Sequence, residues 1–337
     1  MRIVPSETLS VVLATYNGAR HLSSQLRSIA AQTRLPEELI VSDDNSTDAT
    51  TQIVTDFAKT AAFPVKLRRN NPGLGFRDNF LSACAHAKGD WIAFCDQDDV
   101  WREDKLAECQ KVISNPSVTA VVHQAVLIDD KGLAYGRFDQ GIRKTAIRRP
   151  LTYDVWGTFW GFSMVVRRSI LEIVSPDQRF VDYIDPRYAI AHDRWAFFMA
   201  QTLGCVAEIA EPLVAYRQHD GNVFGASRRR GQIENRDAVL AEQAPYLSST
   251  RDMLRIVRTL PEGLETQFPA FDRERAEAVF ARAVEQQELR NALYLSPRGP
   301  AILAMLKMLA QGRYRSATNG MIRWHSVAKD LIVVLKA

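Results

Sequence analysis

Short apolar runs alternate with amphipathic stretches along the first 130 residues of the chain. The apolar runs are rich in Val, Ile and Leu, which is typical of strands buried on both faces of a sheet. Between them, apolar residues recur at helical spacing, as at Leu22, Leu26 and Ile29. This alternation predicts repeated βαβ units, and therefore a largely parallel sheet with helices on both faces. The predicted strands lie at residues 9–15, 39–41, 65–67, 91–95 and 118–128.

Polar residues capable of chemistry follow three of these strands. Residues 15–17 are Thr-Tyr-Asn, residues 43–45 are Asp-Asp-Asn, and residues 96–99 are Asp-Gln-Asp-Asp. Ligands of such sheets bind at the carboxyl ends of the strands, so the three segments are predicted to meet. Carboxylates gathered in one place repel one another and need a positive partner. A divalent metal carrying a phosphorylated ligand is one such partner, and a solvated acidic turn that caps the next helix is the alternative.

The regular alternation weakens after about residue 130. Residues 156–166 mix aromatic and small residues, and they either line a substrate cleft or fill the core. An apolar helix is predicted at residues 191–203 and a strand at residues 205–209, and beyond the three arginines at 228–230 the pattern is helical. We therefore predict an α/β domain at residues 1–225 and a mainly helical, basic region at residues 226–337.

Positive charge is concentrated at the C-terminal end. The 337 residues carry a net charge of +4, but residues 289–337 alone hold eight Lys or Arg and one Asp. A basic amphipathic helix there is typical of a protein that lies on an anionic membrane. Packing of the same apolar face on the α/β domain or on a second subunit is the alternative. The face comprises Trp324, Val327, Ala328, Leu331 and Leu335.

The remaining composition indicates an ordinary globular protein, with 46% hydrophobic and 24% charged residues. The four cysteines have no metal-ligand spacing, and Cys84 and Cys95 are expected to be buried thiols in a reducing compartment. The first residues lack the apolar run of a signal peptide, and no window reaches the ~18 uncharged apolar residues of a membrane-spanning helix. We expect a cytoplasmic protein, either soluble or peripheral on the inner face of the plasma membrane.

Two common nucleotide-binding motifs are absent from the sequence. A dinucleotide site needs G-x-G-x-x-G directly after the first strand, where this chain has Tyr16-Asn17-Gly18. Gly73 and Gly75 follow the third strand without a third glycine, and no G-x-x-x-x-G-K-[ST] loop occurs. What remains is a nucleotide site built from carboxylates and a metal.

Six short motifs stand in order between residues 8 and 222. They are residues 12–18, residues 41–48, Asn70 with Gly73 and Gly75, Asp96-Gln97-Asp98-Asp99 with Trp101, His192-Asp193, and Tyr216-Arg217-Gln218-His219. In this order they resemble the inverting family 2 glycosyltransferases, which have the GT-A fold. The form Asp-Gln-Asp-Asp-x-Trp is most similar to the bacterial subgroup that builds surface polysaccharides and includes many rhamnosyltransferases.

The resemblance implies a role for each motif. Residues expected around the nucleotide sugar are Thr15, Tyr16, Asn17, Asp43, Asp44, Asp96, Gln97 and Arg217. Asp98 would be a ligand of Mg²⁺ or Mn²⁺, since hard cations favour oxygen ligands. His219 would complete this metal site or contact the diphosphate. Asp193, at a helix start that favours its ionised form, would be the base that deprotonates the acceptor. The residues more weakly assigned to the sugar pockets are Trp101, Trp160, His192 and Trp195, and Asp99 has no assigned role.

Helix capping is the alternative role for the polar residues after the second strand. Ser46 or Thr47 is expected to cap the next helix, and Asp48 is a candidate both for capping and for the nucleotide site.

The leading functional hypothesis is metal-dependent, inverting transfer of a sugar from a nucleoside-diphosphate donor to a saccharide or lipid-linked saccharide. The resemblance suggests dTDP-rhamnose or a UDP-sugar as the donor. Two alternatives are a nucleotidyltransferase acting on a sugar phosphate and a non-catalytic nucleotide-sugar or glycan-binding module. A homo-oligomer is compatible with the sequence, which predicts no nucleic-acid partner.

Overall fold

The computed structural model describes residues 7–219 and 236–335, and ten strands in that part of the chain form a single mixed sheet. Strand order across the sheet is β3-β2-β1-β4-β9-β6-β10-β5, with β7 beside β6 and β8 beside β10. The strands are β1 (Leu9–Thr15), β2 (Glu38–Asp43), β3 (Val65–Arg69), β4 (Trp91–Cys95), β5 (Val100–Trp101), β6 (Val118–Ile128), β7 (Ala134–Phe138), β8 (Ala146–Arg148), β9 (Met164–Arg167) and β10 (Cys205–Arg217).

The sheet has a parallel half and a mixed half. Strands β3, β2, β1 and β4 run parallel, as the βαβ pattern predicts. Strand β9 then pairs antiparallel with both β4 and β6, while β10 runs parallel to β6. The α/β class predicted from the sequence is confirmed. The five strands predicted in the first 130 residues are present, and so is the strand predicted at residues 205–209. Strand β10 is longer than predicted, because it continues through irregular pairing between Ile209 and Val214 to the Tyr-Arg motif.

The helices cover both faces of the sheet. Helices α1, α2 and α4 bury their apolar sides against one face, and α3, α5, α6 and α8 pack on the other. Cys84 and Cys95 are buried free thiols, as predicted. The helices are α1 (Ala19–Ala30), α2 (Thr50–Ala58), α3 (Phe76–Cys84), α4 (Lys105–Ile113), α5 (His192–Leu203), α6 (Arg236–Arg258), α7 (Leu264–Gln267), α8 (Arg273–Leu295), α9 (Arg298–Ala310) and α10 (Trp324–Leu335).

The start of α2 differs from the prediction that Ser46 or Thr47 caps it. The helix begins at Thr50, and the Asp48 carboxylate accepts the Thr50 backbone N–H at 2.9 Å. The Ser46 hydroxyl instead donates to Asp43 at 2.5 Å. Asp48 also accepts the Ala19 N–H at 3.1 Å. One carboxylate therefore accepts backbone N–H groups from the first turns of both α1 and α2.

The C-terminal region is helical, as predicted, and it is packed on the α/β part of the chain. Residues of α6 and α8 belong to the same apolar core as the sheet, with the Phe198 and Phe280 rings 5.5 Å apart. Helices α9 and α10 form a smaller core with α8. The predicted boundary at residues 225/226 and the arginines at 228–230 lie outside the described residues. Among the described helices, none is both long and apolar enough to cross a membrane.

Candidate active site

The three polar strand ends lie side by side at one edge of the sheet. Thr15 at the end of β1 is in register with Asp43 at the end of β2. On the other side of β1, Leu13 is in register with Cys95, so the segment 96–99 leaves β4 at the same edge. The convergence predicted from the sequence follows from the parallel pairing of these strands.

The β1–α1 turn is held by the segment that follows β4. The Gln97 side chain accepts the Tyr16 N–H at 2.9 Å and donates to the Tyr16 carbonyl at 3.1 Å. Gly18 makes room for this pair, because a Cβ there would lie 2.1 Å from Gln97 Oε1. Asn17 has a positive φ of 46° and accepts the Thr47 N–H at 2.8 Å. The exposed Tyr16 ring is therefore presented on a turn fixed from both sides.

Asp43 and Asp44 accept hydrogen bonds from their own chain. Asp43 is fully buried, and its carboxylate accepts from the hydroxyls of Thr15 and Ser46 and from the Ser46 N–H. Asp44 accepts the backbone N–H groups of Leu74 at 2.6 Å and Gly75 at 2.7 Å. These contacts hold both carboxylates in place at the sheet edge, and the contact with a base expected from the sequence stays a prediction.

Asp98 and His219 meet although 121 residues separate them. The Asp98 carboxylate lies 2.9 Å from His219 Nε2, and both side chains are mostly buried. Strand β5 makes the contact possible: it follows the acidic segment directly and pairs antiparallel with β10, whose end leads to His219. The contact between the two predicted metal ligands is a tertiary feature that sequence spacing does not encode.

Arg217 and Asp99 are buried residues that support the contact between Asp98 and His219 from the protein interior. The buried Arg217 guanidinium donates to the backbone carbonyls of Asp98, Asp129 and Asp130, at distances of 2.7–3.0 Å. This position differs from the predicted contact with a nucleotide, because the guanidinium faces the protein backbone. The fully buried Asp99 accepts the Arg217 N–H at 2.9 Å and so joins the acidic segment to the end of β10.

The acidic segment has unusual electrostatics. Burial, together with the charges of Asp98 and Asp193, raises the pKa of Asp96 to about 7. Burial, together with the charges of Asp98 and Asp96, raises the pKa of Asp99 well above its ordinary value. The buried cation near these carboxylates is Lys105, and burial lowers its pKa to about 8. The Lys105 ammonium donates to the Phe162 carbonyl at 2.8 Å and lies 3.7 Å from the centroid of the Trp101 ring.

These residues fit a hard divalent cation that is shared with a diphosphate. In the described part of the chain no three His, Cys, Asp or Glu side chains form a ready-made metal cage. Asp98 and His219 supply two adjacent donors, and carboxylate repulsion at Asp96 and Asp99 favours a nearby positive charge. Mg²⁺ in particular is commonly bound by one or two carboxylates plus substrate phosphates and water. A half-site of this kind is compatible with the predicted Mg²⁺ or Mn²⁺.

Asp193 faces the same site from the opposite half of the sheet. It lies in the first turn of α5, where one carboxylate oxygen accepts the Arg194 N–H at 2.8 Å. Its charge contributes to the raised pKa of Asp96, which places the two carboxylates in one electrostatic environment. The helix start is anchored through Arg194, which donates to the buried Asp182 at 3.0 Å. Arg77 donates to the other oxygen of Asp182 at 3.2 Å.

The aromatic residues predicted for the sugar pockets divide into two groups. Trp101, Trp195 and His192 are buried in the core, so the structure places them behind the site instead of on its surface. Trp160 is half-buried, with its ring 5.5 Å from that of Phe138. Gly161 packs directly on His192, because a Cβ there would be 2.8 Å from His192 Nε2. Residues 156–166 therefore both fill the core and approach the site.

Sequence reasoning missed the residues that support the site from the core. His21 on α1 lies with its ring 5.2 Å from that of His219 and 3.1 Å from an Asp130 oxygen. Lys105, which donates to the Phe162 carbonyl, and Asp182, which accepts from Arg194, are two further supporting residues that the sequence did not indicate. A lysine at a fully buried helical position could have been noticed from the apolar neighbours Leu106 and Cys109. The positions of His21 and Asp182 had no signal in the sequence.

Residues 10–174, about half of the chain, match the family model described as Glycosyl transferase family 2. A glycosyltransferase of *Nostoc*, described as uncharacterized and named alr2836, is 31% identical over 227 residues, which are 64% of this chain and 66% of that protein. The *Escherichia coli* protein WfgD, a UDP-Glc:alpha-D-GlcNAc-diphosphoundecaprenol beta-1,3-glucosyltransferase, is 34% identical over 98 residues, 29% of this chain and 38% of WfgD. The matched region thus spans about two thirds of the Nostoc protein and 38% of WfgD.

Among solved structures, the fold is similar to that of *S. aureus* TarS residues 1–349. The TM-score is 0.56 with 16% sequence identity, and the likeness covers 97% of this chain and 89% of the TarS chain. At this identity the likeness concerns the fold alone, and it confirms the expected GT-A architecture.

Proposed function

We propose that the protein is an inverting, divalent-metal-dependent glycosyltransferase, because residues 10–174 match the model of glycosyl transferase family 2. The observation that carries the proposal is the pairing of Asp98 with His219, 2.9 Å apart, in a site that also contains Asp96 and Asp193. The donor is a nucleoside-diphosphate sugar, and the acceptor is a saccharide or a lipid-linked saccharide. The protein would then act at the cytoplasmic face of the membrane, in the synthesis of cell-surface polysaccharide.

Each residue has a defined task in this proposal. Asp98 and His219 would hold the cation, whose chemistry would be to neutralise the charge that grows on the departing nucleoside diphosphate. Asp193 takes the proton of the acceptor hydroxyl while the new glycosidic bond forms and the sugar–phosphate bond breaks on the opposite face of the sugar. Gln97 and Asn17 fix the turn that presents Tyr16 to the nucleotide.

The identity of the donor is proposed from relatives and from the motifs. The name of the WfgD relative specifies UDP-glucose and a diphosphoundecaprenol acceptor, which supports a UDP-sugar and a lipid-linked acceptor here. The Asp-Gln-Asp-Asp-x-Trp motif favours dTDP-rhamnose. UDP-sugars and dTDP-rhamnose both carry a pyrimidine nucleoside diphosphate. A panel of UDP- and dTDP-sugars is therefore the first to screen for thermal stabilisation of the protein.

Donor turnover with and without cation tests the proposal. We expect Mg²⁺ or Mn²⁺ to be required, Asp193→Asn to reduce transfer roughly 10²–10⁴-fold, and Asp98→Asn to abolish the cation-dependent tightening of donor binding measured by calorimetry. Asp56→Asn, an exposed carboxylate on α2, is the control and should behave as wild type. Full transfer in EDTA by both variants would overturn the proposal.

The products distinguish the alternatives. Release of a nucleoside diphosphate with an inverted anomeric centre, observed by NMR, is expected. Release of pyrophosphate would instead indicate a nucleotidyltransferase. Tight donor binding without turnover, across the acceptors tried, would indicate a binding module.

A further inference from the structure

Helices α9 and α10 expose an apolar surface at the C-terminal end of the described chain. Both helices contact α8 and each other, with Met305, Met308 and Val333 turned toward the shared core. On α9, Leu303 is 70% exposed and Leu306 is 54% exposed. The exposed residues of α10 are apolar apart from His325. We name this surface the C-terminal apolar face; it comprises Leu303, Leu306, Trp324, Ala328, Leu331, Ile332 and Leu335.

The spacing of these residues makes a stripe on the outer side of α10. Trp324, Ala328, Leu331 and Leu335 recur at intervals of three and four residues, as on one face of a helix. Val327, which the sequence placed on this face, is half-buried and packs in the C-terminal core instead. The stripe does not pack on the α/β domain in the described chain, and a grouped apolar surface of this kind marks an interaction site.

The charges around the face distinguish between two possible binding partners, a second copy of the chain and a lipid surface. Arg298, Lys307 and Arg315 are exposed, and Lys307 lies one helical turn after Leu303 on α9. The acidic residue of this segment, Asp330, is fully buried and paired with Arg290 at 2.6 Å, so it adds no negative charge to the surface. A second copy docked on the same face would bring these cations against cations. An anionic lipid surface would neutralise them.

We propose that the C-terminal apolar face lies on an anionic membrane, with α9 and α10 parallel to its surface. The apolar stripe enters the boundary between head groups and acyl chains, Trp324 occupies the interfacial layer, and the cations contact lipid phosphates. This orientation lets the protein meet a lipid-linked acceptor, and to that extent it rests on the proposed function.

Co-sedimentation with vesicles tests the proposal on the full-length protein. Vesicles of phosphatidylglycerol and phosphatidylcholine are compared with phosphatidylcholine alone. We expect binding to the anionic vesicles, weakened roughly tenfold or more by Leu331→Gln with Leu335→Gln. Each of Arg298→Gln and Lys307→Gln should weaken it about fivefold. Point variants are preferred to truncation before α9, because truncation would also remove Asp330 and leave Arg290 buried without its carboxylate.

The matched control is Ile147→Gln, which changes an exposed apolar residue on edge strand β8. It should sediment with vesicles as wild type does. Unchanged sedimentation of the Leu331/Leu335 variant, with its circular dichroism intact, would overturn the proposal. So would a wild-type dimer that the same substitutions convert to a monomer, which would assign the face to a second copy. Donor-induced thermal stabilisation is measured in parallel: its persistence in the α10 variant separates loss of membrane binding from failure of the proposed function.

Discussion

His192 is a buried imidazole next to the carboxylate that we propose as the base. Its ring stacks on Phe80 with 3.9 Å between centroids and meets the edge of Phe94 at 5.2 Å. In the described part of the chain neither ring nitrogen has a hydrogen-bond partner. Burial lowers the pKa of His192 to about 4, although the charge of Asp193 acts in the opposite direction. The neutral ring therefore packs as an aromatic side chain against Phe80 and Phe94 and holds the start of α5 in place.

This pKa predicts a pH dependence of stability. Between pH 6.5 and about 4 the unfolded chain binds a proton at His192 and the folded chain does not. The contribution of His192 to the free energy of unfolding should therefore fall as the pH drops through this range, by up to ~3 kcal/mol. The raised pKa of Asp96 acts in the opposite direction over the same range, so the effect of His192 is read as the difference between variant and wild type. His192→Phe should remove that part of the loss, which urea denaturation at a series of pH values measures.

Exposed His86 provides the control for this measurement, since His86→Gln should keep most of the wild-type pH profile. The buried His123, whose pKa burial also lowers, should leave some acid sensitivity in every variant. A His192→Phe profile identical to wild type would show that the ring does not titrate between the folded and unfolded states.

At the scale of elements, loops hold one another at the sheet edge. The turn after β1 is held by Gln97 from the segment after β4, and by Ser46, Asp48 and Thr50 from the segment after β2. Asp44 likewise holds the loop after β3 through the Leu74 and Gly75 N–H groups. The polar residues that the sequence placed at a ligand site thus also form the scaffold of that site.

The contact between Gly18 and Gln97 can be tested by a double-mutant cycle. Gly18→Ala should displace the Gln97 side chain and break its pair with Tyr16, at a cost of about 1 kcal/mol. Gln97→Ala should cost a similar amount, and the double variant little more than either one, because both remove the same pair. Urea denaturation measures the three values.

Gly299→Ala is the matched control, since a Cβ there meets nothing within 4 Å and the residue lies in helix α9. It should be neutral or slightly stabilising. Additive losses at Gly18 and Gln97 would contradict the proposed coupling.

At the scale of the whole molecule, one buried ion pair joins the C-terminal helices. The Asp330 carboxylate on α10 accepts from Arg290 on α8, and also from the hydroxyls of Tyr294 and Tyr314. All four side chains are buried. Among the described residues, the donors around the carboxylate come from the C-terminal helices or the loop between α9 and α10. This group therefore fixes the orientation of α10 and of the apolar face that it carries.

Removal of this carboxylate should be strongly destabilising. Asp330→Ala leaves the Arg290 charge buried without a partner, and we expect a loss of about 3–5 kcal/mol in the free energy of unfolding. Hydrogen exchange should show the largest loss of protection in α10. Asp252→Ala on α6 removes a partly exposed carboxylate paired with Arg255 and should change stability by less than about 1 kcal/mol. Equal losses in the two variants would contradict a structural role for the buried pair.

Much of the fold could be predicted from the sequence because its determinants are local. Apolar runs of strand length and helical periodicity placed the five strands predicted in the first 130 residues, and parallel pairing then required Thr15, Asp43 and the segment 96–99 to share one edge. The similarity to family 2 glycosyltransferases rests on the same motifs, and the comparison with known proteins supports it.

Tertiary structure decided what each polar side chain does at that edge. Asp43, Asp44 and Arg217 have the residue types of a ligand site, and each also bonds to its own chain, through donors and acceptors that the folded loops bring to it. The meeting of Asp98 with His219 depends on the antiparallel pairing of β5 with β10, which has no signature in local sequence. The sequence alone therefore determined the strands, their shared edge and the class of chemistry, since these follow from short-range patterns. The partner of each charged group was decided only by long-range packing.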